Sequence, residues 1–572
     1  MPEDAKVSAS TEGENNTDKN PYGYLDREDF TSEKYKIEIQ GLPKYYGMKE
    51  LKNLLNNKLE LESSKVKPPK KGSGWLFVCF KSEEAVEKAI NTINGLTWKN
   101  CKLMARKAKP APDPFIKRKM EADANSAKRQ KIESQSETIS PELQVKTSTT
   151  PLWDIPYPKQ LELKTKEIRS VLQKLGQAIW KQNAPLSKWI QQQETKNSGL
   201  ICELLPILSS SMTEGYRNKC EFTVGRSRGE KEIVIGFRLS SYAAGSTAVG
   251  PIDDLCHIPQ SMKTAVRLFQ SFIRESKLEP FDPVNHQGYW RQITARTTRL
   301  NHLMLIVGVH PQELSNDEID NLKKDICRFF DEEGGKEANV TSLYFQTISR
   351  RDSGGEGGGS FQHLSGSEYI EEELMDMKFR ISPQAFFQVN SQGAEILYKA
   401  AIDLAKPNQD TSVLDVCCGT GTIGLTFSKH CGEVLGLEMI PDAIKDAREN
   451  AKMNKVDNCE FFIGKAEDIL KTVLQRTTKP DVVAIVDPPR AGLQQQAVLA
   501  LRKSKSLKRL IYISCDPKAA VKNLVDLARP TSKQYTGDPL VPVKAVPVDM
   551  FPHTNHCELV FLLERVSIAD KK

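Results

Sequence analysis

The sequence lacks the features that mark several large classes of protein. No run of apolar residues approaches the roughly 18 that a bilayer-spanning helix needs. The first residues, MPEDAKVSASTEGENNTDKN, contain neither the apolar core of a secretory signal nor an arginine-rich transit pattern. The twelve cysteines have no repeating spacing, and no C-x-x-C or Cys/His cluster has metal-site spacing. We therefore expect no membrane span, no disulfide framework, no bound metal and a reducing, cytosolic location.

The chain is long enough to form several domains. At 572 residues it is too long for a single hydrophobic core, and about three or four domains are expected. Its composition is 39% hydrophobic and 27% charged, as in an ordinary globular protein, and the net charge of +7 indicates a polyanionic partner only weakly. Residues 1–34 are polar and of low complexity, which predicts a disordered tail.

Residues 35–108 predict a compact unit with the order β-α-β-α-β. Its segments are KIEIQGL, which alternates as a strand does, MKELKNLLNNKLE with helical spacing, the β-forming GWLFVCF, the helix start SEEAVEKAINTINGL, and a last strand KLMAR. Since there is room for one more strand near Val66, this order fits a ferredoxin-like sandwich.

This unit resembles an RNA recognition motif, because residues 74–80, GWLFVCF, follow the motif's RNP1 pattern. Trp75 and Phe77 alternate onto one face of the strand, where unstacked bases could lie. The RNP2 segment, IEIQGL, departs from the pattern, because Glu38 takes the usual aromatic position and an anion repels phosphate. RNA contact through Trp75 and Phe77 is the favoured interpretation, and a protein-binding or spacer module is the alternative.

Two regions separate this unit from the C-terminal part. Residues 109–150 are poor in apolar residues and predict a basic disordered linker. Its clusters KRK and KRQK could be a nuclear import signal or a phosphate-contacting tether, although such runs are more often solvated charge. Residues 151–379 open with an amphipathic helix, KTKEIRSVLQKLGQAIW, and continue with mostly β patterning, which predicts a central α/β domain. The glycine-rich RRDSGGEGGGSFQHLSG has no Lys-Ser/Thr and opens no helix, which excludes a phosphate-cradling loop.

Residues 380–572 alternate strands and helices, which predicts a doubly wound, largely parallel sheet. SVLDVCCGTGTIGL is a strand, a glycine turn and a helix, with Gly419 and Gly421 in a G-x-G-x-x-G spacing. Glu438 ends the next strand, where a carboxylate can bind two ribose hydroxyls, and Asp487 ends a third strand in DPPR. These strand ends resemble the class I S-adenosylmethionine-dependent methyltransferases. Arg490 replaces the aromatic residue of the amine-methylating pattern, which argues against amino-group methylation.

Cys515 follows the next strand of the same sheet, in ISCDP, and its thiol should face the crevice that holds the methyl donor. Glu558, in FPHTNHCE, adds a carboxylate beside the same crevice. These groups suit methylation at C5 of a pyrimidine, because thiolate addition to C6 makes C5 nucleophilic and a carboxylate can then remove the C5 proton. An inert buried thiol is the alternative for Cys515.

Six separated motifs resemble, in order, those of the RNA 5-methyluridine methyltransferases: GYRNKCEF, SPQAFFQVN, DVCCGTG, DPPRAG, SCDP and FPHTNHCE. The resemblance implies C5-methylation of uridine in RNA with S-adenosylmethionine, the T-loop uridine of tRNA as substrate, and RNA binding by the central domain and Arg217. It implies Cys515 as the nucleophile and Glu558 as the proton acceptor. The cofactor contacts that it implies are Gln388, Cys417, Gly419, Gly421, Glu438 and Asp487.

The sequence departs from this family in places and leaves alternatives open. Relatives often have an aromatic residue where Cys417 stands. Iron–sulfur members carry a cysteine cluster before the Tyr-Arg-Asn segment, whereas only Cys202 and Cys220 lie nearby here, so no cluster is expected. Cytosine-5 methylation is the nearest alternative, although its Pro-Cys or Thr-Cys nucleophile motif does not occur near Cys515. A non-catalytic RNA-binding or folding factor is the second alternative.

Three further side chains have two interpretations each. Either His553 or His556 positions Glu558, or both histidines satisfy loop carbonyls. Arg490 contacts an RNA phosphate, or it pairs with a carboxylate of the sheet.

Overall fold

The computed structural model of the chain describes residues 34–43, 46–67, 73–109, 139–229, 232–239, 247–349 and 359–566. The chain divides into two compact units, residues 1–137 and 138–572. The predicted disordered tail, apart from Lys34, lies outside the described residues, as do residues 110–138 of the predicted linker and residues 350–358 of the glycine-rich stretch.

The first unit is a four-stranded antiparallel sheet with two helices. Its elements are β1 (Lys36–Gln40), α1 (Met48–Asn53), β2 (Lys65–Lys67), β3 (Trp75–Cys79), α2 (Glu83–Ile93), β4 (Thr97–Trp98), β5 (Cys101–Lys102) and β6 (Met104–Lys107), with a π-helical turn over Leu54–Lys58. The sheet order β2-β3-β1-β6 confirms the predicted sandwich and the strand at Val66. Ser82 caps α2 by accepting a hydrogen bond from the Ala85 amide.

The second unit begins with helices and one short strand: α3 (Pro141–Thr149), α4 (Tyr157–Gln182), α5 (Ser187–Lys196) and β7 (Glu203–Leu204), with a 3-10 turn over Ala184–Leu186. Helix α3 corrects the predicted extent of the disordered linker to residue 150. Val145 is buried in the core of the neighbouring sheet, and the Gln144 side chain donates to the Leu239 carbonyl. Only Val145 of this helix is buried, so its sequence has too little apolar periodicity to indicate a helix.

A β-rich layer follows, as its patterning predicts. It contains β8 (Lys219–Arg226), β9 (Ile233–Arg238), β10 (Val249–Gly250), α6 (Gln260–Glu275), β11 (Trp290–Thr297), β12 (Leu303–Val309), α7 (Asn316–Asp331), β13 (Ser342–Thr347) and β14 (Phe361–Gly366). The sheet order is β10-β9-β8-β11-β12-β13-β14, and β12 and β13 run parallel. Helices α6 and α7 share its hydrophobic core.

The last layer is an eight-stranded sheet flanked by helices. Its elements are a hairpin of β15 (Ile370–Leu374) and β16 (Met377–Ile381), then α8 (Ser391–Ala405), β17 (Thr411–Val416), α9 (Thr422–Ser428), β18 (Glu433–Glu438), α10 (Pro441–Met453), β19 (Cys459–Ile463), α11 (Ala466–Leu474), β20 (Asp481–Val486), α12 (Gln495–Lys503), β21 (Leu507–Ser514), α13 (Pro517–Leu527), β22 (Leu540–Val548) and β23 (Glu558–Arg565). The sheet order is β19-β18-β17-β20-β21-β23-β22-β7. Strands β17 to β21 are parallel and β23 is antiparallel to β21, which confirms the doubly wound sheet.

The predicted boundaries of the central domain, residues 151 and 379, are corrected, because segments at both of its ends pack with the last sheet. Strand β7 pairs with β22 of the last sheet. Ile168 and Leu172 of α4 share a core with Leu524 of α13 on one face of that sheet. Phe379 of the β15–β16 hairpin belongs to the core on the other face. An apolar stripe indicates that a helix is buried, but it does not specify which sheet covers it. For this reason the prediction from the sequence placed these segments in the wrong layer.

Candidate active site

The last sheet reverses its strand order between β17 and β20, which opens a crevice at the carboxyl ends of the strands. The glycine turn follows β17, Glu438 is the last residue of β18, Asp487 follows β20 and Cys515 follows β21. Since these strands are parallel, the four features share one edge of the sheet. The antiparallel strand β23 starts at the same edge, and Glu558 is its first residue.

The turn after β17 is built to leave space beside a fixed carboxylate. Gly419 and Gly421 have φ angles of 54° and 80°, in the left-handed region. A side chain at Gly419 would meet no atom within 4 Å, so the crevice is open there. The Gly419 amide donates to Glu438 Oε2 at 3.2 Å, and Oε1 accepts from the Met439 and Ile440 amides. A carboxylate held this way beside an open turn fits the ribose of a nucleoside-bearing cofactor.

Two further side chains support the turn. Cys417 has a φ of 67°, unusual for a non-glycine residue, and burial, followed by the charge of Glu438, raises the pKa of its thiol to about 12. Its thiol therefore stays protonated. Asp415 is wholly buried and accepts from the Gly424 amide at 2.7 Å, and burial raises its pKa to about 7. The position of Asp415 before the glycine turn is visible in the sequence, but its hydrogen bond to Gly424 is not.

Gln388 and Asp487 meet across the crevice. The Gln388 side-chain amide donates to Asp487 Oδ2 at 3.3 Å, and burial raises the pKa of Asp487 to about 7. The segment that carries Gln388 is anchored at Asn390, which caps α8 by accepting from the Gly393 amide and donates to the Met550 carbonyl at 2.9 Å. The Phe-x-Gln-x-Asn motif thus ties the start of α8 to the loop after β22.

Cys515 and Glu558 come together through the pairing of β21 with β23. Ser514 is opposite Leu559, and continuing this antiparallel register by one residue places Cys515 opposite Glu558. Side chains directly opposite in an antiparallel pair share a face of the sheet. Cys515 is half-buried, whereas Glu558 is 3% exposed.

Burial, with acidic neighbours second, sets the electrostatics of this pair. Burial, then Glu558 and Asp487, raises the pKa of the Cys515 thiol, whereas Arg490 lowers it. Burial, then Asp487, raises the pKa of Glu558 well above its usual value, again opposed by Arg490. Glu558 Oε2 has no hydrogen-bond partner among the described residues, which is typical of a group that faces a ligand. Arg490 is exposed, and within the described part of the chain no carboxylate lies within ion-pair distance of it, so it acts on both groups over a longer distance.

The chain leaves β21 at the cysteine because a helix begins immediately after it. Asp516 caps α13 by accepting hydrogen bonds from the Lys518 and Ala519 amides, and Pro517 occupies the first helical position. The Asp-Pro pair therefore holds Cys515 at the junction of strand and helix.

The two histidines before Glu558 have partners other than its carboxylate. The His553 ring nitrogen Nδ1 lies 3.1 Å from Gln160 Nε2, and the His553 amide donates to Gln160 Oε1 at 2.8 Å. The His556 ring lies edge-on to Phe551, with ring centroids 6.2 Å apart. Since neither histidine hydrogen-bonds Glu558 in the described contacts, the geometry favours the interpretation that they stabilise the loop.

Arg217 lies between two residues that contact the crevice loops. The Tyr216 phenol donates to the Pro552 carbonyl at 2.9 Å, and the Asn218 side-chain amide donates to the Gln388 carbonyl at 3.0 Å. Tyr216 and Asn218 were not among the residues predicted to form the site. Their motif, GYRNKCEF, was a signal, but their partners are too distant along the chain for the sequence to indicate.

The predicted RNA-facing residues of the first unit share one face of its sheet. The rings of Trp75 and Phe77 pack edge to face with centroids 5.2 Å apart, and Trp75 is 37% exposed. Glu38 lies opposite Phe77, where its carboxylate accepts from Gln40 and from Arg106 at 3.1 Å. These hydrogen bonds, Gln40 first, lower the pKa of Glu38. The anion at the missing aromatic position is therefore paired.

No group of three or more His, Cys, Asp or Glu side chains in the described ranges is arranged to hold a metal ion. None of the twelve cysteines, all within the described residues, forms a disulfide, and Cys202 and Cys220 are buried. Among the helices that the structure describes, none combines the length and apolarity needed to cross a bilayer.

Known proteins share both units. Residues 362–566 match the family described as tRNA (Uracil-5-)-methyltransferase, and residues 37–104 match the RNA recognition motif. The human protein named tRNA (uracil-5-)-methyltransferase homolog A is 40% identical over 549 residues, which cover 95% of this chain and 85% of the human one. This chain belongs to the tRNA (uracil-5-)-methyltransferase family.

Two further relatives extend this comparison. The methyltransferase is 38% identical to human tRNA (uracil-5-)-methyltransferase homolog B over 422 residues, 73% of this chain and 82% of the relative. Its fold is similar to that of the Pyrococcus abyssi tRNA (uracil-54, C5)-methyltransferase, solved with S-adenosyl-L-homocysteine, with a TM-score of 0.53 and 24% identity over 72% of this chain and 84% of the other. The predicted fold class and enzyme class are confirmed.

Proposed function

We propose that the enzyme methylates C5 of the T-loop uridine of tRNA, position 54 in the name of the Pyrococcus enzyme, with Cys515 as nucleophile and Glu558 as proton acceptor. The observation that carries this proposal is the register of β21 with β23, which brings Cys515 and Glu558 to the sheet edge where Gln388 contacts Asp487. A thiol, a buried acid and a donor crevice together are what C5-methylation needs, whereas an amine or hydroxyl substrate would need only a base.

S-adenosylmethionine is the methyl donor, and the crevice fits it through the open glycine turn and the fixed carboxylate beside it. When bound, it supplies an electrophilic methyl group. The residues that would hold it are Gln388, Cys417, Gly419, Gly421, Glu438 and Asp487.

Cys515 starts the reaction as a thiolate. Its sulfur forms a bond to C6 of the uracil ring, and the electrons of the C5–C6 double bond move toward the carbonyl oxygen at C4, which makes C5 nucleophilic. The acids around the thiol oppose its ionisation, so Arg490, which lowers the pKa of Cys515, favours the reactive form.

Glu558 completes the reaction once C5 carries the methyl group. Its carboxylate takes the C5 proton, the C–H electrons restore the C5–C6 double bond, and the sulfur leaves C6 with its bonding electrons. Glu558 must be ionised for this step, although burial and Asp487 favour its protonated form. Arg490 opposes that effect as well.

RNA is held, in this proposal, by both units. Trp75 and Phe77 would stack on unpaired bases, and Arg217 would contact tRNA near the crevice. Twelve cysteines without a disulfide support a reducing compartment, and we propose the cytosol, which fractionation of cells that express a tagged chain would test.

The decisive experiment combines the enzyme, S-adenosylmethionine with a deuterated methyl group, and an unmodified tRNA transcript, followed by nucleoside mass spectrometry. We expect labelled 5-methyluridine, and its loss in a transcript with cytidine at position 54. Label on cytidine alone would overturn the uridine assignment, and full labelling of the position-54 variant would overturn the T-loop assignment.

A further inference from the structure

The loop of residues 549–557 leads directly into Glu558. It joins β22 to β23, and Val548 at the end of β22 is paired with Glu558 at the start of β23. The loop therefore begins and ends beside the proposed proton acceptor. Any freedom in the loop would be transmitted to the first residue of β23.

Four successive carbonyls of this loop are each held by a different part of the chain. Those of Met550, Phe551, Pro552 and His553 all accept a hydrogen bond at 2.9 Å. Their donors are, in order, the Asn390 side-chain amide, the Lys164 ammonium, the Tyr216 phenol and the Leu152 backbone amide. Loop carbonyls are usually left to solvent, so four protein donors in a row indicate a loop whose conformation matters.

Tyr216 is the donor that comes from the β-rich layer. It lies just before β8, is 3% exposed, and burial raises the pKa of its phenol, so the hydroxyl remains a donor at physiological pH. Pro552, its acceptor, lies within the loop and six positions before Glu558. The phenol therefore links the β-rich layer to the loop that carries the proton acceptor.

We propose that Tyr216 is a positioning residue for Glu558, and that its hydrogen bond to Pro552 keeps the carboxylate aimed at the C5 proton. This inference rests on the proposed function, because it concerns the elimination step. In that step the C5–H bond breaks, the proton passes to Glu558, its electrons restore the C5–C6 double bond, and the Cys515 sulfur leaves C6. A misplaced carboxylate slows this step and leaves thiolate addition and methyl transfer intact.

Among the four residues that donate to the loop carbonyls, Tyr216 can be changed with the least disturbance, by Tyr216→Phe. It removes one oxygen and keeps the buried ring. Replacing Lys164 would instead leave the buried Asp549 without its ion-pair partner, and replacing Asn390 would also remove the cap of α8. Tyr344→Phe is a matched control, since Tyr344 is a buried tyrosine of β13 whose phenol donates to the Glu368 carbonyl.

The experiment measures turnover and the covalent protein–RNA adduct together. Full-length wild type, Tyr216→Phe, Tyr344→Phe and Glu558→Gln are mixed with S-adenosylmethionine and a radiolabelled unmodified tRNA transcript, and the adduct is resolved on a denaturing gel. Tyr216→Phe should lower turnover about three- to tenfold, as expected for the loss of one neutral hydrogen bond, and raise the steady-state adduct fraction. Tyr344→Phe should match wild type in both.

A transcript with 5-fluorouridine separates the steps. Fluorine at C5 blocks elimination whatever Glu558 does, so wild type and Tyr216→Phe should form this adduct at equal rates. A lower rate for Tyr216→Phe, unchanged turnover, or reduced turnover without added adduct on the normal transcript would each overturn the positioning role. If Glu558→Gln itself accumulated no adduct on the normal transcript, the proposed function would fail instead, independently of Tyr216.

Discussion

Cys515 lies opposite Glu558, one residue beyond the Ser514–Leu559 pair that ends the contact between β21 and β23. The two residues are thus close enough for Glu558 to raise the pKa of the thiol, although 43 positions separate them along the chain. Burial, followed by the charges of Glu558 and Asp487, raises the pKa of the Cys515 thiol, and burial, followed by Asp487, raises the pKa of Glu558, so both environments favour the protonated forms. This relationship underlies the following predictions.

Replacing Cys515 by alanine should abolish methylation. Without a sulfur nucleophile C5 is not activated, and we expect a loss of at least about a thousandfold in turnover and no covalent adduct. The measurement is methyl transfer to a tRNA transcript together with a denaturing gel.

Cys327→Ala is the control for this loss, because Cys327 is a half-buried cysteine on α7 of the β-rich layer. It should leave activity unchanged. Full methylation by Cys515→Ala would rule out the nucleophile assignment.

Replacing Glu558 by glutamine should stop the reaction after methyl transfer. The amide keeps the shape of the side chain but cannot accept the C5 proton, so turnover should fall by about a hundredfold or more while the covalent adduct accumulates. Glu564→Gln, an exposed acid on the same strand, should change neither quantity. Loss of activity without adduct would rule out Glu558 as the proton acceptor, and the proposed function would fail with it.

Replacing Asp415 by asparagine should stabilise the protein more at pH 8 than at pH 5. Burial raises the pKa of Asp415 to about 7, above the roughly 3.9 of an unfolded chain. The folded state therefore binds a proton that the unfolded state has lost, and this contribution to stability is present below about pH 4 and lost as the pH rises to about 7. Asparagine still accepts from the Gly424 amide and has no such proton to lose.

Urea unfolding at the two pH values checks this prediction. The free energy of unfolding of the variant, relative to wild type, should rise by about 2 to 3 kcal/mol between pH 5 and pH 8, because one pKa unit corresponds to about 1.4 kcal/mol. Asp403→Asn, at an exposed position of α8, should show no such rise. An equal effect of Asp415→Asn at both pH values would contradict the raised pKa.

Removing both aromatic rings of the first unit, by Trp75→Ala with Phe77→Ala, should weaken tRNA binding. Stacking contributes about 1 to 3 kcal/mol for each base, so the KM for tRNA should rise about tenfold or more with little change in kcat. Trp180→Ala, at another exposed tryptophan, is the control. An unchanged KM would favour the protein-binding or spacer interpretation of this unit.

Much of the fold and site could be predicted from local patterns. Alternating and continuous apolar runs predicted most strands of the first unit and of the eight-stranded sheet. Because parallel strands end at one edge of a sheet, the sequence alone predicted that Glu438, Asp487 and Cys515 lie at the same edge. The same patterns did not show the helix at Val145, because a single buried residue makes no periodicity.

The sequence by itself determined which chemical groups the enzyme has and which elements carry them, because periodicity, caps and glycine turns act over a few residues. The tertiary structure decided which elements and side chains are in contact. Helix α4 packs on the eight-stranded sheet, Glu38 pairs with Arg106, and Tyr216 donates to Pro552. These contacts depend on how entire helix and sheet surfaces pack against each other. An apolar stripe specifies that a face is buried, whereas the face that covers it depends on elements hundreds of residues away.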